Sequence, residues 1–145
     1  EGVRFFESTN MPTQQANATI AGDQRDYERS TAAHSTLEIN GLNSSEVWGG
    51  FRVGRRAHLS KVSIQDNFVS AQHNGYRFLK GSPTHKREFS LTRKQLLITD
   101  CIYGPFEWAK VYFHIHPYYV HYLTIILFQL IHLLPVLGLI LLFYF

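Results

Sequence analysis

Residues 57–75, AHLSKVSIQDNFVSAQHNG, decide the fold. Ala57 to Ile64 alternates through His58, Leu59, Ser60, Lys61 and Val62, the two-residue period of a half-buried strand. Asp66-Asn67 turns the chain into a second run, Phe68 to His73, and Asn74-Gly75 closes it. Two alternating runs joined by turn chemistry read as an antiparallel pair.

The same grammar extends to both sides. Upstream, Thr36-Leu37-Glu38-Ile39 alternates and stops at Asn40-Gly41, a tight-turn dipeptide. Glu46-Val47-Trp48 and Phe51-Arg52-Val53 flank Gly49-Gly50, which invites a bulge or bend. Downstream, Lys86 to Leu91 and Gln95 to Ile102 pair around Thr92-Arg93-Lys94, and Ala109 to His116 makes a last strand. No helical period occurs before Tyr118. Short strands separated by turn residues predict an all-β fold, an antiparallel β-sandwich.

Composition divides the chain into three. Residues 1–22 have no period and read as irregular; residues 23–117 carry the strands. Residues 118–145 contain no Asp, Glu, Lys or Arg and are dominated by Leu, Ile, Val, Phe and Tyr. That length as a helix spans a hydrocarbon core of about 30 Å, with Tyr118, Tyr119 and Tyr122 at one interface and Tyr144 at the other. A transmembrane helix kinked at Pro135 is expected, with membrane association through it. The abrupt switch also matches a displaced reading frame. Cys101 is the one cysteine, so there is no internal disulfide.

The formal charge is +3, unevenly placed. Arg52, Arg55 and Arg56 cluster, Lys80, Lys86, Arg87, Arg93 and Lys94 follow, and no Lys or Arg occurs after Lys110. Such a face suits an anionic polymer, and equally an ordinary solvated sheet. His34 lies among small residues that allow close approach of another group or a metal. His114 and His116 alternate on one strand face, a geometry that suits metals or anions. His73 sits at a turn and is expected to be exposed. Tyr27 and Tyr76 are candidate proton donors. Phosphate-binding glycine loops, nucleophile elbows, paired cysteines and H-E-x-x-H are all absent.

The run Arg29-Ser30-Thr31-Ala32-Ala33-His34-Ser35-Thr36, continued by Ser45-Glu46-Val47-Trp48-Gly49-Gly50-Phe51-Arg52-Val53-Gly54-Arg55-Arg56-Ala57, resembles the C-terminal β-sandwich region of heparinase II/III-like proteins. These are bacterial polysaccharide lyases and their relatives. His73-Asn74-Gly75-Tyr76, His85-Lys86-Arg87, Thr99-Asp100 and Phe113-His114-Ile115-His116-Pro117 follow in the family's order.

The resemblance implies β-elimination on uronic-acid-containing polysaccharides, glycosaminoglycan-like or alginate-like. In the family an α/α-toroid domain precedes the sandwich, and substrate lies between them. The base removes the C5 proton of the uronate, and basic side chains stabilise the developing charge. Here Arg52, Arg55 and Arg56 are the expected substrate contacts. Family members carry a metal, usually zinc, and His34 matches one ligand, with Ser35 where the family usually has Asn. The other ligands, in an upstream H-x-H-x-D-like motif and a D-x-G-like strand, have no counterpart in this sequence, and neither does the toroid. The expectation is therefore part of a lyase that is inactive alone; the alternative is a membrane-anchored, non-catalytic module that binds acidic polysaccharide. Family members are commonly periplasmic or secreted, and no nucleic-acid partner is expected.

Overall fold

The computed structural model describes residues 24–49, 51–114, 126–129 and 136–144. They form antiparallel sheets with almost no helix, so the all-β expectation holds. Among the described residues, helix is confined to 24–28, which the sequence had not announced, and a 3-10 turn at Thr31–Ala33. Two compact units result, one from Glu1–Arg56 with Glu107–Pro117 and the other from Ala57–Phe106 with Tyr118–Phe145.

In the first unit, strand β1 (Leu37–Ile39) ends where Asn40 and Gly41 take φ of 52° and 69°. Consecutive left-handed residues are what a tight hairpin-type turn requires, and Asn and Gly tolerate them best. The Asn40 side chain fixes that turn, its Oδ1 accepting from the backbone N–H of Glu107 and of Trp108, each at 3.1 Å. β1 is buried throughout, Glu38 included. The Tyr112 hydroxyl donates to the Glu38 carboxylate at 3.1 Å, which satisfies a polar group that burial would otherwise penalise. Strands β2 (Val47–Trp48) and β3 (Arg52–Val53) pair as a hairpin through Gly49, whose φ is 54°.

The second unit is built on a meander. Strands β4 (Leu59–Gln65), β5 (Phe68–His73), β6 (Thr84–Leu91) and β7 (Gln95–Tyr103) lie side by side in chain order. Thr84 and His85 belong to β6, two residues earlier than the alternation suggested, because they pair with Tyr103 and Ile102. Register sorts the side chains. His73, His85 and Ile102 share one face with Ala71, Arg87 and Asp100, while Gln72, Lys86 and Cys101 lie on the other. Ile98, Ile102 and Tyr76 are sealed from solvent.

Strand β8 (Ala109–Val111) belongs to the first unit and pairs antiparallel with β1, Leu37 opposite Val111. It is shorter than the expected Ala109 to His116. At Tyr112 the N–H still reaches the Thr36 carbonyl at 2.8 Å, but by His114 the backbone N–H turns to the Ser35 hydroxyl instead. His116 lies outside the described residues, and with it the expected H-x-H pair.

Within the apolar tail, β9 (Ile126–Gln129) and β10 (Val136–Tyr144) are strands. β10 extends the second unit's sheet beyond β7, from Val136 opposite Tyr103 to Tyr144 opposite Gln95. The rest of the expected helix over 118–145 lies outside the described residues, and among those described no helix is long and apolar enough to cross a membrane.

Candidate functional site

The three arginines surround the β2–β3 hairpin of the first unit. Arg29 clamps that hairpin from below, donating from Nη2 to the Arg52 carbonyl at 2.9 Å and from Nη1 to the Trp48 carbonyl at 3.4 Å. A guanidinium can hold two acceptors at once because its donors lie in one rigid plane. Arg55 is half-buried and donates to the Asn43 carbonyl at 3.5 Å, tying the hairpin to the preceding loop. Asn43 in turn accepts from the Thr31 N–H at 2.7 Å. Arg52 and Arg56 stay exposed.

Two aromatic side chains share this surface. Trp48 is 44% exposed and Phe51 77%. Exposed apolar rings beside cations mark a binding surface more readily than a packing one. The Trp48 ring is seated on Gly54, where an added Cβ would lie 2.9 Å from it. The run's glycines and its tryptophan are therefore one feature. Other large apolar side chains are as exposed, Trp108 at 48% and Ile64 at 75% among them; what distinguishes Trp48 and Phe51 is their place on the arginine-bearing hairpin.

His34 closes the 3-10 turn, its N–H donating to the Thr31 carbonyl at 3.2 Å, and its side chain is exposed. It lines a small cavity of about 190 Å³ with Arg29, Ser30, Thr31, Thr36 and Ser44. Those neighbours are hydroxyls and one guanidinium rather than metal ligands. His114 donates from Nε2 to the Ala32 carbonyl at 2.9 Å, because a carbonyl only accepts, so Nε2 carries the hydrogen. Among the described residues no three His, Cys, Asp or Glu side chains converge on a point. A zinc site needs about four ligands, three of them from protein at the least. His34 offers one, so the described residues do not by themselves fit a metal.

The second unit holds a buried polar chain that sequence reasoning left without a role. Asp100 is 1% exposed and His85 2%. His85 Nε2 is 2.6 Å from Asp100 Oδ1, and Arg87 donates to the same carboxylate from Nε at 2.7 Å and Nη2 at 2.8 Å. His73 Nε2 lies 3.0 Å from His85 Nδ1, and the Gly75 N–H donates to His73 Nδ1 at 3.1 Å.

One assignment of hydrogens satisfies every contact. Because Gly75 donates to His73 Nδ1, the His73 hydrogen sits on Nε2 and points at His85 Nδ1. His85 then carries its own on Nε2 and donates to Asp100. His73 is half-buried rather than exposed as expected, because its register opposite His85 draws the ring over the sheet. Burial, and then the electrostatic cost of a second proton beside His85 and Arg87, lowers its pKa to about 4. Burial alone would raise Asp100, but the bonds from His85 and Arg87 outweigh it and hold the carboxyl below its ordinary value. With both nitrogens of both rings bonded, the chain acts as a clamp across β5, β6 and β7, with no nitrogen left to take a substrate proton. Tyr76, packed against His73 at 5.9 Å between ring centres and fully buried, cannot meet a polymer. Tyr27 is exposed.

The described residues thus form an antiparallel all-β arrangement that carries a clamped basic hairpin and the His34 turn. The heparinase II/III-like C-terminal family matches residues 11–125, and the chain belongs to that family. No curated protein and no solved structure matches the chain.

Proposed function

We propose that this chain forms a β-sandwich wall of a polysaccharide lyase and takes acidic polysaccharide on the β2–β3 hairpin. The carrying observation is the juxtaposition of exposed Trp48 and Phe51 with Arg52 and Arg56 on a hairpin that Arg29 holds rigid. Sugar rings lie against the aromatic faces. Uronate carboxylates accept from Arg52 and Arg56, whose planar donors match a carboxylate two at a time. Arg55 positions the hairpin through the Asn43 carbonyl.

The elimination breaks the C–H bond beside the uronate carboxylate and the C–O bond to the leaving sugar, and forms a C=C bond between them. The base takes the proton, and the leaving oxygen takes one from an acid. Charge grows on the carboxylate in the transition state, where the arginines stabilise it. His73 and His85, with both nitrogens bonded, and the sealed Tyr76 are neither the base nor the acid. His34 would offer one ligand to a metal whose remaining ligands came from elsewhere. The chain alone then binds without eliminating.

Binding to immobilised heparan sulfate and alginate tests this reading. It is expected to weaken with salt and to fall at least tenfold in the Arg52→Ala/Arg55→Ala/Arg56→Ala variant and in Trp48→Ala, the equivalent of about 1.4 kcal/mol. Unchanged binding in both variants, or absorbance from unsaturated uronate released by the chain alone, overturns it.

A further inference from the structure

The sheet face opposite the histidine clamp carries a second cleft, of about 480 Å³, lined by Lys61, Ser70, Gln72, Thr84, Lys86 and Tyr103. Small-molecule sites usually fall between about 300 and 1,000 Å³. Its floor is polar and buried, with Ser70 5% exposed and Gln72 8%. Gln72 Nε2 donates to Thr84 Oγ1 at 2.8 Å, so the Thr84 hydroxyl has its own hydrogen to give elsewhere.

Lys61 reaches the cleft through a departure from regular strand. Ser60 pairs with Gln72 and Ser63 with Ser70, so Lys61 and Val62 together stand opposite Ala71 alone. That is a bulge, a device that re-aims a side chain. Lys61 takes φ of 49°, uncommon for a residue with a Cβ. Lys86 is paired with the Glu88 carboxylate. Among the described residues Lys61 makes no ion pair, so the cleft holds one uncompensated positive charge.

From these observations we infer that the cleft binds a sugar carboxylate, the acid group on Lys61 and the hydroxyls on Ser70, Gln72 and Thr84, with Tyr103 flanking the ring. One cation among several neutral hydrogen-bonding groups matches a hydroxylated monoanion. The site lies in a different unit from the arginine hairpin and does not depend on it.

The test is an NMR titration of the full chain with D-glucuronate, methyl glucuronoside and methyl glucoside. Resonances of Lys61, Gln72 and Tyr103 are expected to move with glucuronate, with affinity about tenfold lower for the uncharged glucoside. Lys61→Ala should lower glucuronate affinity about as much, and Lys61→Arg should restore it. Equal binding of the glucuronoside identifies a residue within a polymer as the ligand; preference for the free acid identifies a monomer; either supports the site. In the Arg52→Ala/Arg55→Ala/Arg56→Ala variant, glucuronate should still move the Lys61, Gln72 and Tyr103 resonances, which separates this site from the hairpin. The inference is overturned if glucuronate moves none of these resonances, or if Lys61→Ala binds as well as the unaltered chain.

Discussion

His73 gives its ring hydrogen to His85 across 3.0 Å, and the direction of that gift is fixed at both ends, by Gly75 on one side and Asp100 on the other. Adding a second hydrogen to His73 would set two donors against each other at Gly75. Burial above all, with His85 and Arg87 nearby, takes the pKa of His73 from 6.5 down to about 4 in the folded chain.

Acid sensitivity follows with a definite sign. Between about 6.5 and 4 the unfolded His73 binds a proton that the folded one refuses, so stability is complete above that window and declines as pH falls through it. At about 1.4 kcal/mol per unit, the loss reaches up to about 3 kcal/mol. Asp100, also held low, adds to the loss at still lower pH. Urea midpoints measured from pH 7 to 4 should show this slope, and His73→Asn should flatten it.

Removing the charge at the centre of the clamp costs more than removing its rim. Asp100→Asn takes the carboxylate from Arg87 and His85 while keeping the shape. Breaking a buried ionic group of this kind costs about 3–5 kcal/mol. Chemical denaturation should show that loss; a change below about 1 kcal/mol would mean that the clamp adds nothing.

Two glycines with left-handed backbone should respond differently to alanine. At Gly81, φ is 81° and a new Cβ would collide with the Pro105 ring; at Gly49, φ is 54° and the nearest atom is Arg52 Cδ at 3.8 Å. Gly49→Ala should cost the conformational term alone, about 1–2 kcal/mol, and Gly81→Ala clearly more. Thermal melts of the two variants provide the comparison.

Deleting residues 136–145 should leave β7 as a bare edge, because β10 covers it along its whole length. Exposed edges recruit other chains. Light scattering should rise in the shortened chain, and a monodisperse product would contradict the pairing.

Much of the fold was legible because its signals are local. Asn40-Gly41 announced the turn it makes, and the alternation through Leu59 and Phe68 announced β4 and β5. The clamp was not legible, since His73, His85 and Asp100 meet only through register across three strands. The tail shows a second limit. An unbroken apolar run such as Val136–Tyr144 suits a helix or a strand equally, and the open edge of β7 beside it leaves no mark in composition. At the candidate site, residue types were readable in Arg52, Arg55 and Arg56. Their division of labour was not, because the carbonyl of Asn43, which takes Arg55, is contributed by backbone.

Asn40 joins residues separated by more than sixty positions, its side chain holding the amides of Glu107 and Trp108. The first unit is therefore interrupted in the chain by Ala57–Phe106, and the second by Glu107–Pro117. During synthesis, β1 waits as an unpaired apolar segment until Ala109 emerges, and β7 waits longer for β10. Pairings of such long range form slowly and leave strands exposed meanwhile. The order of synthesis thus makes the β4–β7 meander the first part whose strands are all present, and a released chain ending at Phe106 should already protect its amides there.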